Sequence, residues 1–307
     1  MKTNKIYIIA ALLLLVGLAI AAGASASIGF DWSKLNSENY IEKEFTADGK
    51  VLKLFIDDSN NKITVETIDS DRLKIEYVEN ERGKYIVKQS GTNLTITKES
   101  IKPFGRFFNF GFNFKSNEMR IYIPADTAID LNIETSNSAV DVNGVKCTDL
   151  KLKTSNGSID VSDVFSERGA VCDTSNGAIK ISRVNAAGTL DCDSSNGRIV
   201  LSDARAETII AKTSNASINL SNLTAINIKA DTSSGSIDIT GLEIGRELRL
   251  DTSNAGISGT LPGKISDYNI TSLTSNGSNS LPDKLDGGDK TLIIKTSNGS
   301  IRLEFEK

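Results

Sequence analysis

Thr154-Ser155-Asn156-Gly157-Ser158-Ile159-Asp160-Val161 is one copy of a motif that returns, with small edits, along the C-terminal two-thirds of the chain. The copies centre on Ser136, Ser155, Ser175, Ser195, Ser214, Ser233, Ser253, Ser275 and Ser297, spaced 19, 20, 20, 19, 19, 20, 22 and 22 residues apart. A fixed period near twenty residues marks a solenoid, in which one short unit stacks on the next.

Set against the central serine, the copies align in columns. Five residues before it stand Leu131, Leu150, Ala170, Leu190, Ile209, Ile228, Leu248, Ile270 and Leu292. Four after it stand Val140, Ile159, Ile179, Ile199, Ile218, Ile237, Ile257, Asn279 and Ile301. Further apolar columns lie three before and six after, with mostly polar residues between, so each copy reads as strand, corner, strand with one face buried. Glycine at the corner, as in Gly157, Gly177 and Gly197, is expected to permit a left-handed backbone there. Another apolar column nine residues after the serine (Val145, Val164, Val184, Ala204, Leu223, Leu242) marks where the chain turns back.

A stack of coils and a meander of antiparallel hairpins both fit this pattern. Identical residues at each corner favour direct stacking, with Asn137, Asn156, Asn176, Asn196, Asn215, Asn254, Asn276 and Asn298 as a structural ladder along the axis. Stability demands the repetition. About five inward apolar side chains per coil contribute ~2 kcal/mol each, while ordering twenty residues costs ~1.5 kcal/mol apiece. A lone coil therefore fails, and the ends of the stack need covers.

The expected fold class is all-β: a single-stack, β-helix-like solenoid of about nine ~20-residue coils with an N-terminal β cap, preceded by one hydrophobic helix. Residues 126–307 form the repeat domain and residues 40–125 the cap. Within the cap, Val51–Ile56, Lys62–Val65 and Asn93–Ile96 alternate as strands, and Asp58-Ser59-Asn60-Asn61 is a blurred relative of the repeat. Edge charges Arg302, Glu304 and Glu306 would discourage end-to-end association.

Ahead of the cap lie a short n-region (1–5) with Lys2 and Lys5, an apolar segment (6–26) and a linker (27–39). The uninterrupted run Ile6–Ala22 is long enough for a signal-anchor that leaves the C-terminal part outside a single-pass membrane protein. Ala24-Ser25-Ala26 resembles a signal-peptidase site, and cleavage after Ala26 would instead give a secreted protein.

The formal charge of −4 over 307 residues is weak and scattered, without the basic face of a nucleic-acid binder. Histidine is absent, which removes the commonest general base, the commonest zinc ligand and the standard catalytic triads. Cys147, Cys172 and Cys192 are too widely spaced for a zinc site, and the Gly-Gly-x-Gly-x-Asp signature of calcium-bound β-rolls is not spelled. No metal and no cofactor is therefore expected.

The Ser-Asn-Gly corners, the Ile121-Tyr122-Ile123-Pro124 strand leading into them and the N-terminal apolar segment resemble a bacterial β-strand-repeat family of unknown function often labelled "putative adhesin". The likeness covers roughly residues 40 to 307. It implies a β-solenoid of the cell envelope, with some relatives associated with envelope stress, and brings no catalytic residues.

Three features are candidates for function. Phe104, Phe107, Phe108, Phe110, Phe112 and Phe114 hold six of the eleven phenylalanines in one segment. They read either as a partner or membrane contact or as rings folded over the open end of the stack. Cys172 and Cys192 share an inward column, as core thiols or as a disulfide. The Thr-Ser-Asn stripe reads as a polar binding face or simply as corner chemistry.

The expected function is a non-catalytic, extracytoplasmic, membrane-tethered scaffold that binds an envelope component or a protein partner. One alternative is the ectodomain of an envelope-stress sensing or signalling system contacting a membrane protein. A weaker one is a polysaccharide-active β-helix enzyme, against which the outward column Asp141, Asp160 and Asp238 is interrupted by Lys180, Val200 and Asn219.

Overall fold

A computed structural model describes residues 13–19, 22, 23, 26, 40–80, 83–99 and 118–306. Its repeat is a β-solenoid. Each coil starts with a short strand such as Ile159–Ser162, turns, forms the brief strand Phe165–Ser166, bends, and closes with a strand such as Ala170–Thr174. Equivalent strands pair parallel and in register: Ile159 lies opposite Ile179, Ile179 opposite Ile199, and Leu190 opposite Ile209. Parallel register excludes the hairpin meander, in which neighbours would run antiparallel. The described strands make one 12-stranded and one 15-stranded sheet.

The inward columns fill the space between the sheets. Leu131, Leu150, Leu190, Ile159, Ile179, Ile199 and Ile218 are all wholly buried. Each such side chain contributes about 2 kcal/mol, and coils above and below are needed to bury it.

The glycine reading needs correction. Left-handed backbone does not occur at Gly157, Gly177, Gly197, Gly235, Gly277 or Gly299. It occurs at the next corner, eight residues after the central serine, where Gly144, Asp163, Arg183, Asp203, Asn222 and Gly241 have φ between 52° and 70°. What the motif glycine supplies is close approach. A Cβ on Gly177 would lie 1.7 Å from the carbonyl oxygen of Gly157, and one on Gly157 1.8 Å from that of Ser138. The coils can stack at this corner only without a side chain there.

The order of coils in space departs from their order in the chain at both ends. Lys53–Asp57 and Lys62–Ile68, inside the segment read as a cap, form a genuine coil. It stacks on Ile129–Glu134 and Val140–Asn143 on one side and on Asn93–Lys98 and Glu118–Pro124 on the other. At the far end Lys290–Thr296 inserts between Glu243–Thr252 and Tyr268–Thr274, so the Ser275 coil lies outermost although the Ser297 coil follows it in sequence. The longer spacings there accommodate this crossing, a 3-10 turn at Ile265–Asp267 and the strand Lys284–Leu285. Among the described residues, antiparallel strand pairs occur only at the ends, as between Ile41–Thr46 and Lys74–Glu79 and between Tyr85–Ser90 and Asn93–Lys98.

The outermost coil explains its own irregular residues. Ser272 stands where other coils place Leu, Ile, Ala or Cys, and it is wholly buried. Its hydroxyl donates to Asn279 Oδ1 at 3.0 Å, while Asn279 Nδ2 donates to the Ser272 carbonyl at 3.3 Å. Two inward columns thus turn polar together. Ser280 Oγ accepts from the Leu303 N–H and donates to the Leu303 carbonyl, both at 2.9 Å, which occupies edge groups of the strand Ile301–Phe305. That is edge protection of the kind sheets require.

Residues 13–19 are helical and exposed, and among the described residues no helix is long and apolar enough to cross a membrane.

Candidate functional site

The Thr-Ser-Asn-Gly corner is built from its first residue. Thr174 Oγ1 accepts from the Gly177 N–H at 3.2 Å and donates to the Gly157 carbonyl of the coil below at 3.0 Å. Thr154, Ser194, Thr232 and Thr296 bond in the same two ways, so one buried hydroxyl closes a turn and ties it to its neighbour. The asparagines point outward. Asn137, Asn156, Asn176, Asn196 and Asn215 each donate from Nδ2 to the Oδ1 of the preceding asparagine, beginning at Asn60, at 2.6–2.8 Å. Ser234 interrupts the run. It resumes as Asn276 to Asn298 and Asn298 to Asn254, following the spatial order of the coils. The ladder spends one N–H and one oxygen lone pair of each inner amide and holds these side chains in a fixed row along the axis.

At the left-handed corner Arg183 donates two bonds to Asp163, at 2.6 and 2.7 Å. A bidentate pair of this kind offsets some of the strain of a non-glycine residue at positive φ. Arg183 hydrogen bonding holds the Asp163 carboxyl below its usual range.

A more open surface lies on the short third side of the coils. Inward residues there are small: Ala186, Ala206 and Ala225, followed by Ile244. Two outward rows flank them, Asn185, Arg205, Thr224 and Glu243 on one side and Ala187, Glu207, Ile226 and Gly245 on the other. They enclose a groove of about 750 Å³ that crosses four coils and meets Pro262 and Lys290. Ile226 sits where the pairing register shifts between Ala225 and Asn227, and it is 46% exposed. Bulges re-aim side chains in this way. Glu243 accepts from Thr224 Oγ1 at 3.0 Å, and Lys290 lies over the Tyr268 ring. The volume is that of a ligand site, and its chemistry is that of binding through apolar contact with charges on the rim. The repeat columns do not mark this face; its one signal is Ile226 in a column that otherwise holds Thr148, Glu167, Ala187, Glu207 and Gly245.

The remaining titratable groups have structural work. Asp58 takes the place of the corner threonine in its coil, accepts from the Asn60 N–H at 3.1 Å and from the Tyr85 hydroxyl, and pairs with Lys98 at 3.3 Å. Burial, then Asp58, push the Tyr85 phenol far above its ordinary value. Cys147, Cys172 and Cys192 are free and buried, the last two directly opposite on adjacent strands. The bond with Cys172, then burial, raise the Cys192 thiol well above its usual range. Among the described residues no cluster could hold a metal ion. The six phenylalanines at 104, 107, 108, 110, 112 and 114 lie outside the described residues, between the strands Asn93–Lys98 and Glu118–Pro124.

The family described as Toastrack DUF4097 matches residues 51–304. Among solved structures the chain is similar to one described as a "putative adhesin" from Bacteroides fragilis NCTC 9343, at 12% identity, covering 88% of this chain and 99% of that one with a TM-score of 0.43. A second, also a "putative adhesin", comes from Parabacteroides distasonis ATCC 8503, at 11% identity over 88% and 98% of the two chains, with a TM-score of 0.43. A third, a "putative lipid binding protein" from that same organism, has 12% identity over 88% and 98%, with a TM-score of 0.38. Comparison with curated proteins returned no match.

Proposed function

This chain belongs to the Toastrack DUF4097 family, and on that premise we propose that it is a non-catalytic, extracytoplasmic scaffold, tethered by its N-terminal segment, that binds a component of the cell envelope. The groove over Ala186, Ala206, Ala225 and Ile226 carries the reading. It offers a long concave surface with an apolar floor, displayed on a frame of parallel strands. Lys2 and Lys5 before the apolar run Ile6–Ala22 support placement of the solenoid outside the membrane.

Two measurements test this. Externally added protease should reach the solenoid in intact cells, with the chain fractionating with membrane; recovery in the cytoplasm or in the medium refutes the tether. Purified full-length chain should bind isolated envelope fractions, and Ile226→Glu with Ala187→Arg, both on the outward row of the groove, should abolish that binding while the strand signal in circular dichroism is kept. Undiminished binding by that variant would remove the groove as the site.

A further inference from the structure

At the N-terminal end of the stack, on the outer face of the larger sheet, three adjacent strands present a two-by-three array. Lys53 stands between Asn93 and Asp130, and Phe55 between Thr95 and Asn132. Phe55 points outward from a strand whose neighbours Leu54 and Ile56 fill the core. A cavity of about 340 Å³ opens over these six side chains.

Three polar side chains of the array, Asn93, Thr95 and Asn132, make no hydrogen bond among the described residues, the first exposed and the second half-buried. Asn132 Oδ1 is buried without a hydrogen-bond partner, and among the described residues the side chains of Asn93 and Thr95 have none either. Lys53 and Asp130 pair at 3.0 Å, with the lysine largely exposed. Buried polar atoms are rarely left unpaired, and each exception calls for an explanation; here the orphan adjoins a cavity beside an outward aromatic ring. The partner here must exchange hydrogen bonds with the Asn132 amide, which can turn about its last side-chain bond to bring Oδ1 to the cavity, face an aromatic ring with C–H groups, and carry no charge to compete with the Lys53–Asp130 pair. An amphipathic ring with hydroxyls on its rim and C–H bonds on its face meets all three conditions.

We propose that this cavity is a subsite for a neutral sugar ring: one ring face stacks on Phe55, with hydroxyls exchanging bonds with the Asn132 amide, Thr95 and Asn93. The volume, at the lower end of ligand sites, suits one or two rings of a longer chain. The subsite deepens the envelope-binding reading and rests on it, since it names a saccharide as a component bound.

The test is calorimetric titration of the full-length chain with four neutral tetrasaccharides: maltotetraose, cellotetraose, chitotetraose and mannotetraose. At least one should bind, Phe55→Ala should weaken it roughly tenfold, and Asn132→Leu should weaken it comparably with the melting midpoint retained. Phe165→Ala, which removes an exposed ring elsewhere on the stack, should leave the affinity unchanged. Absence of binding to all four overturns the subsite, as does an unchanged affinity in Phe55→Ala or a loss in Phe165→Ala. Envelope binding that persists when tetrasaccharide binding fails would leave the broader reading standing and this one refuted.

Discussion

Replacing Gly177 with alanine should test whether the motif glycine is there for approach rather than for turn conformation. Backbone strain contributes nothing, because φ at Gly177 is not positive. The methyl would sit 1.7 Å from the Gly157 carbonyl oxygen and 2.3 Å from its carbon, both backbone atoms of a neighbouring coil. Two coils in this chain show how the corner relaxes. Ala216 and Ala255 occupy the same position, and neither N–H reaches its corner threonine, although Thr213 and Thr252 still bond the coil below. The variant therefore loses at least the Gly177 N–H to Thr174 bond. If the coils also part, it loses Thr174 to Gly157 and Asn176 to Asn156 as well. At about 1 kcal/mol each, the cost lies between one bond and three, about 2 kcal/mol. Melting followed by circular dichroism should then fall by about 4–8 °C, at roughly 2–4 °C per kcal/mol for chains of this size. Ala216→Gly, at a corner already opened, should change little. A Gly177→Ala protein within about 1 °C of wild type, as for an ordinary surface substitution, would refute the close-approach argument.

Three further outcomes are expected. Burial, then Asp149 and Asp130, push the Cys147 thiol up to about 12, and Cys192 is also raised, so native protein at pH 8 should not react with a disulfide reagent, whereas denatured protein should titrate three thiols; rapid native labelling would contradict the burial. Burial, then Asp173, raise the Asp193 carboxyl, so its charge disfavours the fold above that raised value and the penalty fades as pH falls through it; Asp193→Asn should melt higher than wild type near pH 7, with the gap closing in acid, and a gap that widens would reverse the sign. Asn279→Ile should destabilise the outermost coil by leaving the buried Ser272 hydroxyl unpaired, about 1–3 kcal/mol, whereas Ser272→Leu leaves Asn279 its bonds with Leu281 and Asp283 and should cost less; the double variant should recover part of the Asn279→Ile loss, and simple additivity would show that the pair is not coupled.

How much of this was legible in the sequence follows from what a column can report. Identical spacing fixed which residues face inward, because burial acts on each coil alike, and Ile159, Ile179 and Ile199 lie where their column put them. The same columns could not report the order of coils. The Ser275 and Ser297 copies look interchangeable in one dimension, and only the pairing of Lys290–Thr296 with both neighbours reveals the crossing. The glycine was assigned the wrong physical reason, since close approach and left-handed backbone select the same residue. The left-handed corner went unread because Asp163, Arg183, Asp203 and Asn222 vary in type while sharing a conformation. The groove and the Phe55 array escaped for a related reason: each depends on side chains from several coils, at positions where the repeat has no consensus.

Departures from the repeat therefore need sorting before any is assigned a function. A column of hydroxyls that bonds each coil to the one below must be terminated with other chemistry. Asp58 and Lys98 do this at the N-terminal end, as an ion pair in register with the threonines, sealed by Tyr85. Thr135, the first threonine beyond them, is left with a buried hydroxyl that has no partner. Ser272, Asn279 and Ser280 terminate the inward columns and the sheet edge at the other end. All of these irregularities are accounted for by the need to end a stack. Phe55 and Ile226 are not. Neither closes a turn, fills the core or blocks an edge, and each places apolar surface in a concave site where a polar side chain would be more soluble. Residues that break the pattern without serving its termination are the ones whose presence a bound partner must explain.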